Sequence, residues 1–270
     1  MNSPMLKIQN LNKTFNPGTA VEHKALREID LELNDGEFVC IVGSNGAGKS
    51  TLFNCIAGSI FPDRGRVELA GKDITFTQDF KRARDLSRVF QDPLLGTCPN
   101  LTVAENISLA LGRSTHQNPL SFALSSKSCS YIQEVLSKFN AGLENRLDTK
   151  VGTLSGGQRQ TVCLLMAVIG KPKLLLLDEH TAALDPQATK RVMDMTREAI
   201  SLNNTTTLMI THNMEEALEN GTRTIVMHEG RIVADVKGEE RKNMKVEELI
   251  ALFQAKTGEA LRDDKILLTQ

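Results

Sequence analysis

Hydrophobic positions along the 270-residue chain follow two different periods, and the change between them predicts its architecture. Near the start the period is two. Leu6 and Ile8 alternate with polar neighbours, as in a half-buried edge strand. A turn signal at Asn16-Pro17-Gly18 separates it from a second strand marked by Leu26, Ile29, Leu31 and Leu33, which closes at Asn34-Asp35-Gly36. Phe38-Val39-Cys40-Ile41-Val42 is a continuous apolar run. Beyond a helix from Leu52, Pro62-Asp63-Arg64-Gly65 is a turn leading to the strand Arg66–Leu69, and Ala70-Gly71-Lys72 is another turn. Leu86 to Gln91 is a short strand that ends in a glutamine.

After Gln91 the period becomes 3.6. Thr102 and Glu105 have capping-box spacing, with Val103, Ile107 and Leu111 on one helical face. The polar stretch from Gly112 to Ser130 reads as a loop, and Ile132, Val135, Leu136 and Phe139 mark a second amphipathic helix. A third begins near Ser155 and carries Val162, Leu165, Met166 and Ile169, ending at Gly170 and Pro172. Leu174–Leu177 has no alternation, the pattern of a strand buried on both faces of a parallel sheet. There follow a helix over Thr189–Ile200, a strand at Thr207–Ile210 and a helix from Met214. The strands Arg223–Met227 and Arg231–Val236 flank a tight turn at Glu229-Gly230, and Val246, Leu249, Ile250 and Phe253 form a last helix. Strands alternating with helices predict an α/β fold with a mostly parallel sheet covered on both sides, interrupted by a helical subdomain. No internal repeat is visible.

The chemistry concentrates at Gly43-Ser44-Asn45-Gly46-Ala47-Gly48-Lys49-Ser50-Thr51, between the Phe38–Val42 strand and a helix. This is the spacing G-x-x-x-x-G-K-S/T. Glycines let backbone N–H groups approach phosphate oxygens, and the helix start directs its positive dipole end at the same oxygens. Lys49 supplies a point charge for the outer phosphates, and the Ser50 hydroxyl is a ligand for Mg²⁺. The stretch predicts a nucleoside-triphosphate site.

Other candidates sit at strand ends. Asp178 closes the four-leucine strand, where an open α/β sheet places ligand chemistry, and its natural role is to hold Mg²⁺ or its water. Glu179 follows, so the second carboxylate can polarise the attacking water. His212 ends the Thr207–Thr211 strand and reads either as a γ-phosphate sensor or as a solvated histidine. Gln91 could coordinate metal or position water. Ser155-Gly156-Gly157-Gln158 makes a second helix N-terminus, a capping box and also an anion site; two glycines in the first turn weaken a helix by up to about 1 kcal/mol each, which suits a phosphate approaching the backbone.

Bulk properties narrow the partners. The formal net charge of -1 offers no basic field for nucleic acid or anionic lipid. The five cysteines (Cys40, Cys55, Cys98, Cys129, Cys163) contain no C-x-x-C pair, and small buried thiols in a reducing compartment are the expectation. Met1 to Asn10 lacks the layout of a signal peptide, and no apolar run nears the roughly 18 to 20 residues that span a bilayer.

Together these motifs resemble the ATPase domain of ABC transporters over nearly the whole chain. Gly43–Thr51 is similar to its Walker A loop, Gln91 to its Q-loop, and Leu154-Ser155-Gly156-Gly157-Gln158 to its signature sequence. Leu174–Asp178 resembles Walker B with Glu179 as catalytic base, Ala183-Leu184-Asp185 the D-loop, and His212 the switch histidine. Phe15 falls where the family has an aromatic that stacks on adenine. His180 departs from the usual proline and changes the stiffness of the turn after Glu179. The resemblance implies one ABC ATPase domain over 1–270: an α/β core with an antiparallel β subdomain at 1–91 and 160–270, and a helical subdomain at 92–159. It implies Mg²⁺ held by Ser50, Gln91 and Asp178, and a head-to-tail pair of ATPase subunits in which the signature of one closes on the ATP of the other.

A separately encoded subunit on the cytoplasmic face of the membrane is expected, with an integral-membrane permease as partner. Asp92-Pro93-Leu94-Leu95 would meet the permease's coupling helix, and a separate solute-binding protein would deliver cargo. The wording of Gln91–Thr97 and Asp178–Pro186 resembles a subgroup serving small solutes such as amino acids. Two other classes compete. A soluble ABC protein of ribosomes or DNA usually carries two cassettes, coiled coils or basic arms, none visible here. A small-molecule P-loop kinase leaves the signature sequence unexplained.

Overall fold

The computed structural model describes residues 3–115, 126–139 and 141–258, and it divides into two compact units, Met1–Arg82 with Thr206–Gln270, and Ala83–Thr205. The first unit opens with β1 (Leu6–Phe15) and β2 (His23–Leu33). They pair antiparallel, Leu6 opposite Leu33 and Phe15 opposite His23. After β3 (Phe38–Val42) and α1 (Lys49–Ala57) come β4 (Arg64–Leu69), β5 (Lys72–Asp73) and the single turn α2 (Asp79–Arg82). The antiparallel sheet has the order β2-β1-β4-β5. So β1 is an interior strand, not the edge strand its alternation suggests. Alternation reports that one face is buried, here Leu6, Ile8 and Leu11; it says nothing of backbone partners. β4 also starts earlier than its turn-like residues imply. Gly65, at φ 96°, passes the Asn10 carbonyl so closely that a Cβ would stand 2.3 Å from the oxygen.

The second unit contains β6 (Leu86–Val89), a 3-10 turn at Pro93–Leu95, α3 (Val103–Thr115), α4 (Ser126–Lys138), a 3-10 turn at Val151–Thr153, α5 (Gly156–Val168), β7 (Leu174–Asp178) and α6 (Pro186–Asn203). The Thr102–Glu105 capping box forms in both directions, Thr102 N–H to Glu105 Oε2 at 2.7 Å and Glu105 N–H to Thr102 Oγ1 at 3.2 Å. Val103, Ile107 and Leu111 are buried as their spacing requires. The expected loop over 112–130 is shorter than predicted: α3 continues to Thr115 and α4 begins at Ser126, and the rest of that loop lies outside the described residues. Polar residues do not end a helix whose other face is packed. β6 and β7 run parallel, Leu86 beside Leu174 and Val89 beside Leu177, and Leu174–Leu177 is fully buried.

The chain then returns to the first unit with β8 (Thr206–Ile210), α7 (Met214–Asn220), β9 (Arg223–His228), β10 (Arg231–Lys237), α8 (Gly238–Asn243) and α9 (Val246–Thr257). β3 lies between β8 and β9, parallel to both, and β10 joins β9 antiparallel. All five residues of β3 and all five of β8 are buried. Both strands end at one edge, where the chemistry begins.

Candidate functional site

In the first unit β3 delivers the chain directly into the glycine loop. Gly43 (φ 154°) lies against the Met227 carbonyl, so that a Cβ would stand 2.2 Å from that oxygen, and Gly48 (φ 96°) lies against the Ala25 carbonyl, at 2.4 Å. Backbone is thus packed where any other residue would clash. Lys49 heads α1 and is buried; its Nζ donates to the Gly43 carbonyl (2.7 Å) and the Ser44 carbonyl (3.0 Å). The N-cap, Gly48, contributes no side-chain acceptor to the first turn. That turn has the build of an anion seat: backbone donors, a positive dipole end and an ammonium. Asn45, Gly46 and Ser50 are exposed around it.

Two supports of this loop are not visible in its sequence. Glu229 (φ 43°) and Gly230 (φ 77°) form the two-residue β9–β10 turn, with both φ values positive as a type I′ hairpin requires. Gly230 N–H donates to the Ala47 carbonyl (3.0 Å), and Arg27 N–H to the Gly230 carbonyl (2.8 Å). The turn is therefore a buttress of the phosphate loop as well as a connection. At the far end of α1, buried Arg82 donates to the carbonyls of Cys55 (2.9 Å), Ile56 (2.6 Å), Thr77 (2.7 Å) and Thr75 (3.1 Å). A guanidinium here offsets the negative end of the helix dipole.

His212 is half-buried two residues beyond Ile210, which pairs with Ile41, itself two residues before Gly43. Parallel pairing thus brings the histidine to the strand edge from which the loop springs. Its neighbour Asn213 caps α7 by accepting from Glu216 N–H (3.0 Å). Phe15 ends β1, half-buried, with Lys13 Nζ 5.8 Å from its ring centroid.

In the second unit Gln91 and Glu179 each lie two residues past the paired Val89 and Leu177, at the carboxyl ends of β6 and β7. Gln91 is exposed. Asp178 and Glu179 are half-buried, and Glu179 adopts φ 45°, a left-handed conformation that costs a residue with a Cβ roughly 1–2 kcal/mol. Its carbonyl accepts from Ala182 N–H (3.1 Å), closing a turn directly after the strand. Arg88, absent from the expected site, reaches Asp178 Oδ2 at 2.5 Å and lies 4.7 Å from the Phe90 ring centroid. His180 is buried, and desolvation lowers its pKa from 6.5 to about 4. Its Nε2 is 3.3 Å from Thr196 Oγ1, whose own proton goes to the Val192 carbonyl (2.8 Å). The histidine is thus the donor, a neutral ring protonated at Nε2.

The helix tip at Ser155 is a complete capping box: Ser155 Oγ accepts from Gln158 N–H (3.3 Å) and Gln158 Oε1 from Ser155 N–H (3.2 Å). Ser155 and Gly156 are exposed, and Leu154 is buried. The two glycines differ. A Cβ on Gly156 would meet only Leu184 Cδ2, at 3.8 Å, whereas one on Gly157 would stand 2.8 Å from Ala188 Cβ on α6. Close helix packing is therefore a second reason for glycine at 157, one the spacing does not reveal. Asp185 is the N-cap of α6, accepting from Ala188 N–H (2.9 Å), with Pro186 next. Cys40, Cys55 and Cys163 are buried thiols, as expected of small apolar fillers, but Cys98 is exposed. Burial pushes Cys40 and Cys163 up to about 12 and Cys55 up to about 11.

A glycine-cradled lysine at a helix head beside a buried parallel strand defines a P-loop nucleoside triphosphatase. A family model described as ABC transporter matches residues 26–182. The "Tyrosine transport ATP-binding protein" of Clostridioides difficile is 45% identical over 250 residues, covering 93% of this chain and 99% of that protein. Among solved structures, cbiO1 of Clostridium perfringens, described as part of the ABC transporter complex cbiONQ, superposes with a TM-score of 0.74 at 27% identity, over 95% of this chain and 96% of that one. A further ATP-binding cassette, solved as a dimer in a post-hydrolysis state bound to ADP and Pi, gives a TM-score of 0.70 at 28% identity, over 86% and 98%. The chain belongs to the ABC transporter family as an ATP-binding subunit. It is an ATPase with the α/β P-loop fold of that family.

Proposed function

We propose that this subunit hydrolyses Mg²⁺-ATP to drive uptake of a small, amino-acid-like solute through a separate integral-membrane permease. The observation that carries the choice of solute is the 45% identity, end to end, with a protein whose name assigns it to tyrosine transport. In this reading Gly43–Thr51 seats the triphosphate and Phe15 stacks on the adenine. Ser50, Gln91 and Asp178 hold the cation, Glu179 activates water and His212 senses the γ-phosphate. The donor set fits Mg²⁺: a hydroxyl, an amide and a carboxylate are hard oxygen ligands. Among the described residues no three His, Cys, Asp or Glu side chains cluster as a metal site. The bound cation would supply charge neutralisation on the β- and γ-phosphates.

The same reading pairs two copies, or this chain and a relative, head to tail, with Leu154–Gln158 of each and the Asp185 segment closing on the other's ATP. Its domain plan is a core of 1–91 and 160–270 and a helical subdomain of 92–159. A permease is the membrane-spanning partner, met on its cytoplasmic face, and a separate solute-binding protein completes the system; among the described residues no helix is long and apolar enough to cross a membrane. Exposed Leu95 (69%) and Leu94 (41%), on a turn capped by Asp92, offer the permease an apolar contact. The test is uptake of labelled aromatic amino acids by cells lacking this subunit. Restoration by the wild-type chain and not by Lys49→Ala supports the assignment. Unchanged uptake in the deletion strain would refute the solute class.

A further inference from the structure

β6 is a buried strand carrying a charge. Leu86, Ser87 and Val89 are at most 5% exposed, yet between them stands Arg88, paired in register with Leu176 of β7. Its guanidinium lies against Asp178 Oδ2 at 2.5 Å and over the Phe90 ring at 4.7 Å. The side chains of the pair are only 12% and 14% exposed. Gln160 Nε2, from the buried side of α5, donates to the Phe90 carbonyl (3.2 Å) and fixes the residue on which the guanidinium rests.

We propose that Arg88 is a positioning residue that shares Asp178 with the divalent cation and holds down the nucleotide-bound chain's affinity for it. The proposal rests on Asp178 as a metal ligand. An ionised carboxylate has about four acceptor sites, so one oxygen can hold the guanidinium while the other serves the cation or its water. Geometry is thereby fixed, because the guanidinium is itself clamped between Asp178 and Phe90. The charge is thereby reduced: a carboxylate with a cation at hydrogen-bond distance presents Mg²⁺ with a nearly neutral pair, and in a half-buried setting such a neighbour is weakly screened. A merely structural ion pair makes a different prediction. Breaking it would lower stability and leave cation affinity as it was.

The experiment is a Mn²⁺ titration of the full chain with the non-hydrolysable analogue AMP-PNP, with free Mn²⁺ followed by electron paramagnetic resonance. Arg88→Met should bind Mn²⁺ tighter by on the order of tenfold, the scale of removing one adjacent charge. Arg88→Lys, which restores a charge without the planar fork, should fall between the two. Should Arg88→Met fail to fold, Arg88→Lys decides alone. Affinity equal to or weaker than wild type in the folded variant overturns the proposal. Asp178→Asn separates the two layers of inference. If it leaves Mn²⁺ binding at the wild-type level, the metal assignment falls and Arg88's role with it. If it loses binding while Arg88→Met shows no tightening, only Arg88's role is refuted.

Discussion

Arg82 illustrates how one side chain holds the phosphate-loop helix from behind. Four carbonyls from two stretches of chain converge on its guanidinium, two of them in the last turn of α1. Arg82→Met leaves those acceptors buried without the donor, and hydrogen bonds to a charged group contribute about 1.5–3 kcal/mol each before the site relaxes. The expected loss is roughly 3 kcal/mol of unfolding free energy, read as a lowered urea midpoint at unchanged m-value. Arg82→Lys should recover less than half, since an ammonium cannot span the four oxygens. A midpoint within experimental error of wild type would show that water replaces the guanidinium there. The contrast with Lys49 explains what a sequence discloses at this scale. Lys49 and its carbonyl partners lie within six residues of one another, so spacing alone gives the loop away. Arg82 and Cys55 are 27 residues apart, and no local pattern connects them.

At the scale of elements, periodicity located the buried strands, because β3 and the Leu174–Leu177 run of β7 are apolar without alternation and short. It failed where a neighbour decides the outcome. β1 is interior because β4 folds back on it, and Glu229-Gly230 supports the phosphate loop because β9 lies beside β3. The signature helix shows both cases within two residues. Gly156 faces outward with ordinary contacts, whereas Gly157 lets α5 approach α6 to a distance that leaves no room for a methyl group beside Ala188. Gly157→Ala should therefore destabilise the protein by about 1–2 kcal/mol, overpacking minus the gain in helix propensity, and Ala188→Gly should relieve it in a double-mutant cycle. Gly156→Ala should leave the melting temperature within a degree or two of wild type or slightly higher, by propensity, while lowering ATP turnover if the exposed tip meets phosphate. Equal melting shifts for the two variants would remove the packing argument.

For the whole molecule the informative quantities are a formal net charge of -1 and two helix tips open to solvent, one at Ser50 and one at Ser155–Gly156. Two copies of a nearly neutral protein experience little long-range repulsion, so their association depends on what is shared at contact. In the proposed head-to-tail pairing the shared object would be ATP, whose phosphates would draw a positive helix end from each chain. Binding that exists only in the pair shifts the monomer–dimer equilibrium by mass action, and hydrolysis removes it. Glu179→Gln keeps the side chain's size and its turn but removes the proposed base, so cleavage should stop while binding persists. The variant is expected to elute as a dimer in Mg²⁺-ATP and as a monomer without nucleotide, with turnover reduced by at least about 100-fold, the scale of a lost general base. A Lys49→Ala partner mutation should abolish the dimer. If Glu179→Gln turned over ATP at the wild-type rate, the base would lie elsewhere; if it stayed monomeric with ATP bound, the signature tip would not be completing a partner's site.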